Sequence, residues 1–211
     1  MHGEGGVENK YDYGKSVVIP YLLDRKINSL DYIMISHFDS DHAGGVMEIL
    51  ENMKVKNIII FKQYEENNLL KQVIEVCNKK RINIILVKAG DIIKVDKYLN
   101  LRILWPDEED IIKENQINNN SIVARFEYFN FEILFTGDIE EVTEKVILNK
   151  YLDNILEGEI LKVAHHGSKT SSTLEFLEKV KPKIALIGVS KENKFGHPNL
   201  EILKRIENMR N

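Results

Sequence analysis

Cysteine is almost missing from this sequence. Cys77 stands alone among 211 residues, which excludes an internal disulfide and fits a reducing compartment. It falls in the apolar pattern of a helix with no histidine near it in sequence, so it reads as a buried, inert thiol rather than a nucleophile. Long apolar runs are missing too, and none approaches the ~20 residues that a spanning helix needs. No transmembrane segment is expected. The N-terminus has no basic region followed by an apolar core, so no export signal is read there. Neither charge dominates: 29 Lys and Arg against 33 Asp and Glu give a net charge of −4, which offers no electrostatic footprint for nucleic acid. No stretch rich in Pro, Gly or Ser and no charge block divides the chain. With 43% hydrophobic and 29% charged residues, residues 1–211 read as one globular domain.

The first half alternates between apolar runs and helical patterns. Residues 16–27 suit a helix with Pro20 in its first turn, and residues 31–35 read as a buried strand. A helix is expected around 46–50, a strand over 57–61, an amphipathic helix over 65–80 and a strand over 82–87. Lys79, Lys80 and Arg81 at the end of that helix fit its C-terminal dipole. After Gly90 strands dominate, at 101–104, 122–128 and 131–135, the last two forming a hairpin across Phe129-Asn130. Along 122–128 alternation predicts one buried and one wetter face. Helices over 140–151, 173–180 and 199–209 are separated by strands at 160–164 and 184–189. The alternation points to layered α/β architecture. Residues 1–9 read as a loop or frayed end.

Chemistry concentrates where the first strand stops, in Ser36-His37-Phe38-Asp39-Ser40-Asp41-His42-Ala43-Gly44-Gly45. In extended chain His37, Asp39 and Asp41 share one side, and His42 needs a turn that Gly44 and Gly45 allow. Two imidazoles and two crowded carboxylates favour divalent cations, which reverse the carboxylates' mutual repulsion. Later candidates sit at strand ends beside glycines: Asp138 in Thr136-Gly137-Asp138, and His165 and His166 in His165-His166-Gly167-Ser168. His197 lies in Gly196-His197-Pro198.

The first stretch resembles the metal-binding motif of the metallo-β-lactamase superfamily, with Asp39 where a second histidine normally stands. That variant is similar to the hydrolase domain of the ComEC family of DNA-uptake competence proteins. Asn120-Ser121, the Gly-Asp motif, the His-His-Gly-Ser motif and Gly-His-Pro follow in the family's order. The resemblance implies a four-layer αββα sandwich, missing its first strands, of whose last turn Gly3-Glu4-Gly5-Gly6 is a remnant. It implies an enzyme, a dinuclear phosphodiesterase or nuclease acting on single-stranded DNA in a competence-related role. Two divalent ions, zinc or manganese, would be held by His37, Asp39, Asp41, His42, Asp138 and His165. His165 is preferred over His166 as the late ligand, with His166 left open. Asp41, His166 and His197 would serve catalysis, and Asn120, Ser121, Ser168 and Lys169 the substrate. Asp39 in place of an imidazole hardens one site and favours an oxygen-preferring ion such as manganese. A membrane channel partner follows from the same resemblance. Location divides accordingly, cytoplasmic for the isolated chain and extracytoplasmic for one acting like its relatives. Two rival readings are a hydrolase of small esters, thioesters or lactams, and an inactive truncated remnant or metal-binding module.

Overall fold

The computed structural model describes residues 12–62, 66–152, 154–190 and 193–209. The loop expected over 1–9, the glycine turn at 3–6 and the helix start at Glu65 lie outside them. The chain divides into two compact units, one of residues 1–34, 38–58 and 67–84 and one of residues 35–37, 59–66 and 85–211.

The first unit opens with a π-helical turn, Gly14–Val18, that runs into helix α1 (Ile19–Asp24), where Pro20 sits in the first turn. Strand β1 (Ser29–Met34) follows, then the short helix α2 (Ser40–Ala43), helix α3 (Val46–Asn52), strand β2 (Lys54–Ile60), helix α4 (Asn68–Lys80) and strand β3 (Asn83–Leu86). The sheet order is β1-β2-β3. Ile49, Leu50, Ile58, Val73 and Cys77 are buried, so the thiol is a core atom, and burial pushes it above the usual thiol range. Helix α4 begins where Asn67 Oδ1 accepts the amide of Leu70 at 3.0 Å, and ends at Arg81 with a left-handed φ of 58°. Lys80, expected to serve its own helix end, donates instead to the carbonyls of Leu50 and Glu51, at 2.8 and 2.5 Å, and so caps α3.

The second unit is built on a six-stranded sheet in sequence order: β4 (Ile92–Lys94), β5 (Leu99–Trp105), β6 (Val123–Tyr128), β7 (Phe131–Phe135), β8 (Ile160–Lys162) and β9 (Ile184–Leu186). Pairing is antiparallel through β7 and parallel from β7 to β9. Helices α5 (Gln116–Asn119), α6 (Glu141–Lys150), α7 (Leu174–Val180) and α8 (Leu200–Asn208) complete it. Leu134, Ile139, Ile147, Leu161, Phe176 and Ile202 meet in one buried core, with Trp105 donating its indole N–H to the carbonyl of Asn119 at 2.7 Å. Strand β6 does not alternate as expected; burial declines along it from Val123 to Tyr128. Its inward polar groups are neutralised instead, Arg125 against Glu132 at 2.5 Å and Glu127 against Arg102 at 2.8 Å.

One buried acid ties the loop after the His-His turn to the helical layer. Glu144 of α6 accepts from the amides of Ser172 and Thr173, at 2.5 and 2.9 Å, and from the Thr173 hydroxyl at 2.7 Å. Burial raises its carboxyl above the usual range, against the pull of those three donors. Because the folded value exceeds the unfolded one, the folded chain holds a proton that the unfolded chain has released. This group's contribution to stability is therefore lost as pH rises past the ordinary carboxyl range toward the folded value. Glu144→Ala orphans the buried Ser172 amide and the partly buried Thr173 amide and should destabilise by roughly 3 kcal/mol in urea titrations at neutral pH. Glu144→Gln should flatten the dependence of the urea midpoint on pH above the ordinary carboxyl range.

Candidate metal centre

In the first unit, β1 stops at Met34 and the segment bearing Asp39, Asp41 and His42 turns into α2. Asp39 is the last extended residue, at φ −87° and ψ 155°, and occupies the N-cap position without bonding a helix amide through its side chain. Asp41 is helical, so the extended reading of this stretch holds only to Asp39. The helix carries Asp41 and His42 on successive positions, and Asp41 in its first turn is favoured by the partial positive charge there. Gly45 is not needed for handedness, since its φ is −82°. A Cβ there would lie 2.7 Å from the amide nitrogen of Gly14, so the glycine permits two backbones to touch.

In the second unit, His37 closes the short segment 35–37. The Ser36 carbonyl accepts the amide of Ile122 at 2.8 Å, which moors this segment to the start of β6. His37 is buried, with Nδ1 at 3.1 Å from both Ser36 Oγ and Ser121 Oγ. Ser121 Oγ also accepts the amide of Asp138 at 3.1 Å. One hydroxyl thus holds an imidazole and a carboxylate-bearing turn together, and ligand atoms of His37 and Asp138 lie within 4.8 Å of each other. Gly137 makes this approach feasible. Its φ is +52°, and a Cβ would fall 2.4 Å from Ser121 Cβ.

Asp138 is buried to 3% exposure, yet it is surrounded by cationic groups of its own unit. Lys162 Nζ donates to the Gly137 carbonyl at 2.8 Å and lies 3.3 Å from Asp138 Oδ1. His166 Nε2 lies 3.2 Å from Asp138 Oδ2, while its Nδ1 is 2.6 Å from the Gly188 carbonyl, so that carbonyl fixes the Nδ1–H tautomer. The Asp138 carboxylate holds the His166 imidazole above the usual histidine range, partly offset by burial.

His165 and His166 are consecutive residues with left-handed backbone, at φ 47° and 54°, followed by Gly167 at 78°. Such a run costs of order 1–3 kcal/mol per residue and is retained where the surroundings over-determine it. Its effect is to point the two imidazoles apart. His166 faces Asp138, whereas His165 has Nε2 at 3.5 Å from Asn118 Nδ2 and Nδ1 at 3.5 Å from Glu140 Oε1. His197 stands edge-on to His165 with ring centroids 5.9 Å apart, and burial, with His165 and His166 beside it, holds it below the usual histidine range.

The residues expected to serve substrate separate. Ser121 is the brace just described. Asn120 is committed to the backbone, donating to the carbonyls of Ile112 and Gln116 at 2.8 and 2.7 Å and accepting the amide of Ile112 at 3.1 Å. Ser168 Oγ bonds Thr170 Oγ1 at 3.0 Å, and Lys169 is exposed. Sequence reasoning missed Ser36, Lys162, Glu140 and Asn118. For Lys162 a signal existed, a lysine inside the apolar run 160–164; for the others there was none.

The donor set of these segments, imidazoles and carboxylates without thiolate, fits a divalent cation that accepts oxygen and nitrogen. Gly137→Ala should destabilise the fold by roughly 2–4 kcal/mol, from a left-handed Cβ and the overlap with Ser121, read by thermal or urea unfolding.

Comparison with known proteins follows the same lines. Residues 4–68 match the description "Metallo-beta-lactamase superfamily". The chain is 30% identical over 95% of its length to ComE operon protein 3 of Bacillus subtilis, covering 25% of that protein. It is 28% identical over 90% of its length to competence protein ComA of Neisseria gonorrhoeae, covering 24% of it. The chain therefore spans about a quarter of the length of the curated relatives it matches. Among solved structures, a point mutant of the β-hydroxylase CmlA superposes with a TM-score of 0.58 at 8% identity, covering 100% of this chain and 45% of that one. CmlA of Streptomyces venezuelae is described as a diiron β-hydroxylase. That likeness is one of fold.

Proposed function

We propose that this chain, a member of the metallo-β-lactamase superfamily with an α/β fold of two sheets and competence proteins among its relatives, is a metal-dependent phosphodiesterase acting on single-stranded DNA. The observation that carries the metal reading is the Ser121 brace, which draws the ligand-type side chains of His37 and Asp138 together in a buried setting. Lys162 and His166 offset part of the charge of the buried Asp138, and a divalent cation would engage the Asp138 carboxylate and the buried His37 imidazole together. The competence relatives supply the substrate class.

His37, Asp39, Asp41, His42 and Asp138 are the ligands of this reading. From the His-His turn, the 3.2 Å contact of His166 with Asp138 supports His166 over His165, reversing the preference drawn from sequence. Two divalent ions, when bound, would lower the pKa of a shared water and neutralise phosphate oxygens. The chain's own contribution is orientation. The Ser36 and Ser121 hydroxyls occupy His37 Nδ1, at 3.1 Å each, which leaves Nε2 as the ligating nitrogen. Lys162 holds the Gly137 carbonyl and Asp138 in register. His197 stands edge-on to His165 and would orient the leaving oxygen by a hydrogen bond. Among the described residues no helix is long and apolar enough to cross a membrane, so a channel partner would be another polypeptide segment.

Purified protein should contain about two divalent ions and cleave single-stranded DNA with manganese or zinc, as expected of a two-metal site. Asp138→Ala and Asp41→Ala, shown folded by circular dichroism, should lose cleavage by a factor of at least ~100 together with bound metal. Metal binding with hydrolysis of carboxylic esters or lactams, and none of phosphodiesters, would replace this reading.

A further inference from the structure

The second unit carries an aromatic group far along the sheet from Asp138. Register pairs Leu99 with Tyr128, so the turn before β5 and the β6–β7 turn lie side by side at one end of the sheet. The Tyr98 and Phe129 rings stack at 4.8 Å and 25°, and Tyr128 meets Phe129 edge-on at 4.9 Å. These rings are not core. Tyr98, Tyr128, Phe129 and Phe131 are 46, 47, 66 and 42% exposed. Asp96 fixes the first turn by accepting the amides of Tyr98 and Leu99, at 2.6 and 2.8 Å.

Phe129 is the telling residue. It occupies a left-handed position, φ 53°, in a hairpin turn where asparagine or glycine would sit without strain. Because it is also mostly exposed, burial does not offset that strain. Asp96 is committed to backbone amides of the turn, and a cation stands over one ring. Lys97 Nζ lies 5.1 Å from the Tyr98 ring centroid, and the strand carboxylates Glu127 and Glu132, on the opposite sheet face from Tyr128 and Phe131, are taken up by Arg102 and Arg125. Exposed planar rings with an ammonium group beside them match unpaired bases joined by phosphates, and stacking of this kind is tolerant of sequence.

We propose that Tyr98, Phe129 and Tyr128, with Lys97 beside Tyr98, form a stacking platform for single-stranded nucleic acid, distinct from the metal centre. Tyr128 and Phe131 form a cross-strand pair, and Phe131 and Phe135 share the sheet face that carries Lys162. The platform rests on the reading of a single-stranded polymer as substrate, and its function is to retain that polymer between cleavage events.

The test is fluorescence anisotropy of a labelled oligothymidylate against the full chain, with chelator present so that nothing is cut, for wild type, Phe129→Asn and Tyr98→Ala. Both variants should bind about tenfold more weakly, ~1.4 kcal/mol, while duplex of equal length is bound as by wild type. Phe129→Asn should unfold at the same temperature as wild type or a higher one, since asparagine accepts the left-handed turn. A merely structural role would instead lower it. Unchanged oligothymidylate affinity in both variants overturns the platform, as does loss of binding to anionic vesicles in its place. Hydrolysis of bis(p-nitrophenyl) phosphate with manganese separates the two readings. Wild type inert on it, with oligothymidylate binding lost in Phe129→Asn, defeats the phosphodiesterase and leaves the platform standing.

Discussion

A single hydroxyl governs the second unit's share of the centre. Ser121 Oγ meets His37 Nδ1 and the Asp138 amide at the same distance, 3.1 Å, and so joins three segments remote in sequence: the end of the first apolar run, the approach to β6 and the exit of β7. Other features follow from that contact. Gly137 has to be glycine because Ser121 occupies the space of its Cβ, and the Ser36 carbonyl has to reach the Ile122 amide to hold His37 at the same depth. A buried three-way contact of this kind orders side chains before any ion arrives, which lowers the entropic cost of binding one.

The His-His-Gly turn complements the brace. Two left-handed residues in succession direct neighbouring imidazoles to different tasks, His166 to Asp138 and the Gly188 carbonyl, His165 to Asn118, Glu140 and His197. Strain here is held by packing. Gly167 is closed in by Pro198, and the loop beyond it is anchored through Glu144. Charge is balanced locally in the same region, with Lys162 and His166 on either side of the buried Asp138.

Much of this was legible from sequence, for identifiable reasons. Strands 131–135 and 123–128 and the helices at 141–150 and 174–180 were readable because apolar period and turn residues agree there. The short elements β4, α2 and α5 were not, since three or four residues carry no period. The metal-type residues were visible as clusters beside strand ends. Their partners were not: that Ser36 and Ser121 share His37, or that Asn120 serves the chain at Ile112 rather than a ligand, depends on contacts across up to 84 positions. Which of two adjacent histidines turns to Asp138 depends on backbone handedness, and no composition rule reports that.

The most direct test of the account is calorimetric titration of metal-stripped, folded wild type and Ser121→Ala with manganese and zinc. If the hydroxyl sets His37 and Asp138 for an ion, the variant stays folded and binds metal about 10–100-fold more weakly, the usual effect of removing a group that orients a ligand. Equal affinity in the two proteins would contradict the brace as the organiser of a metal centre.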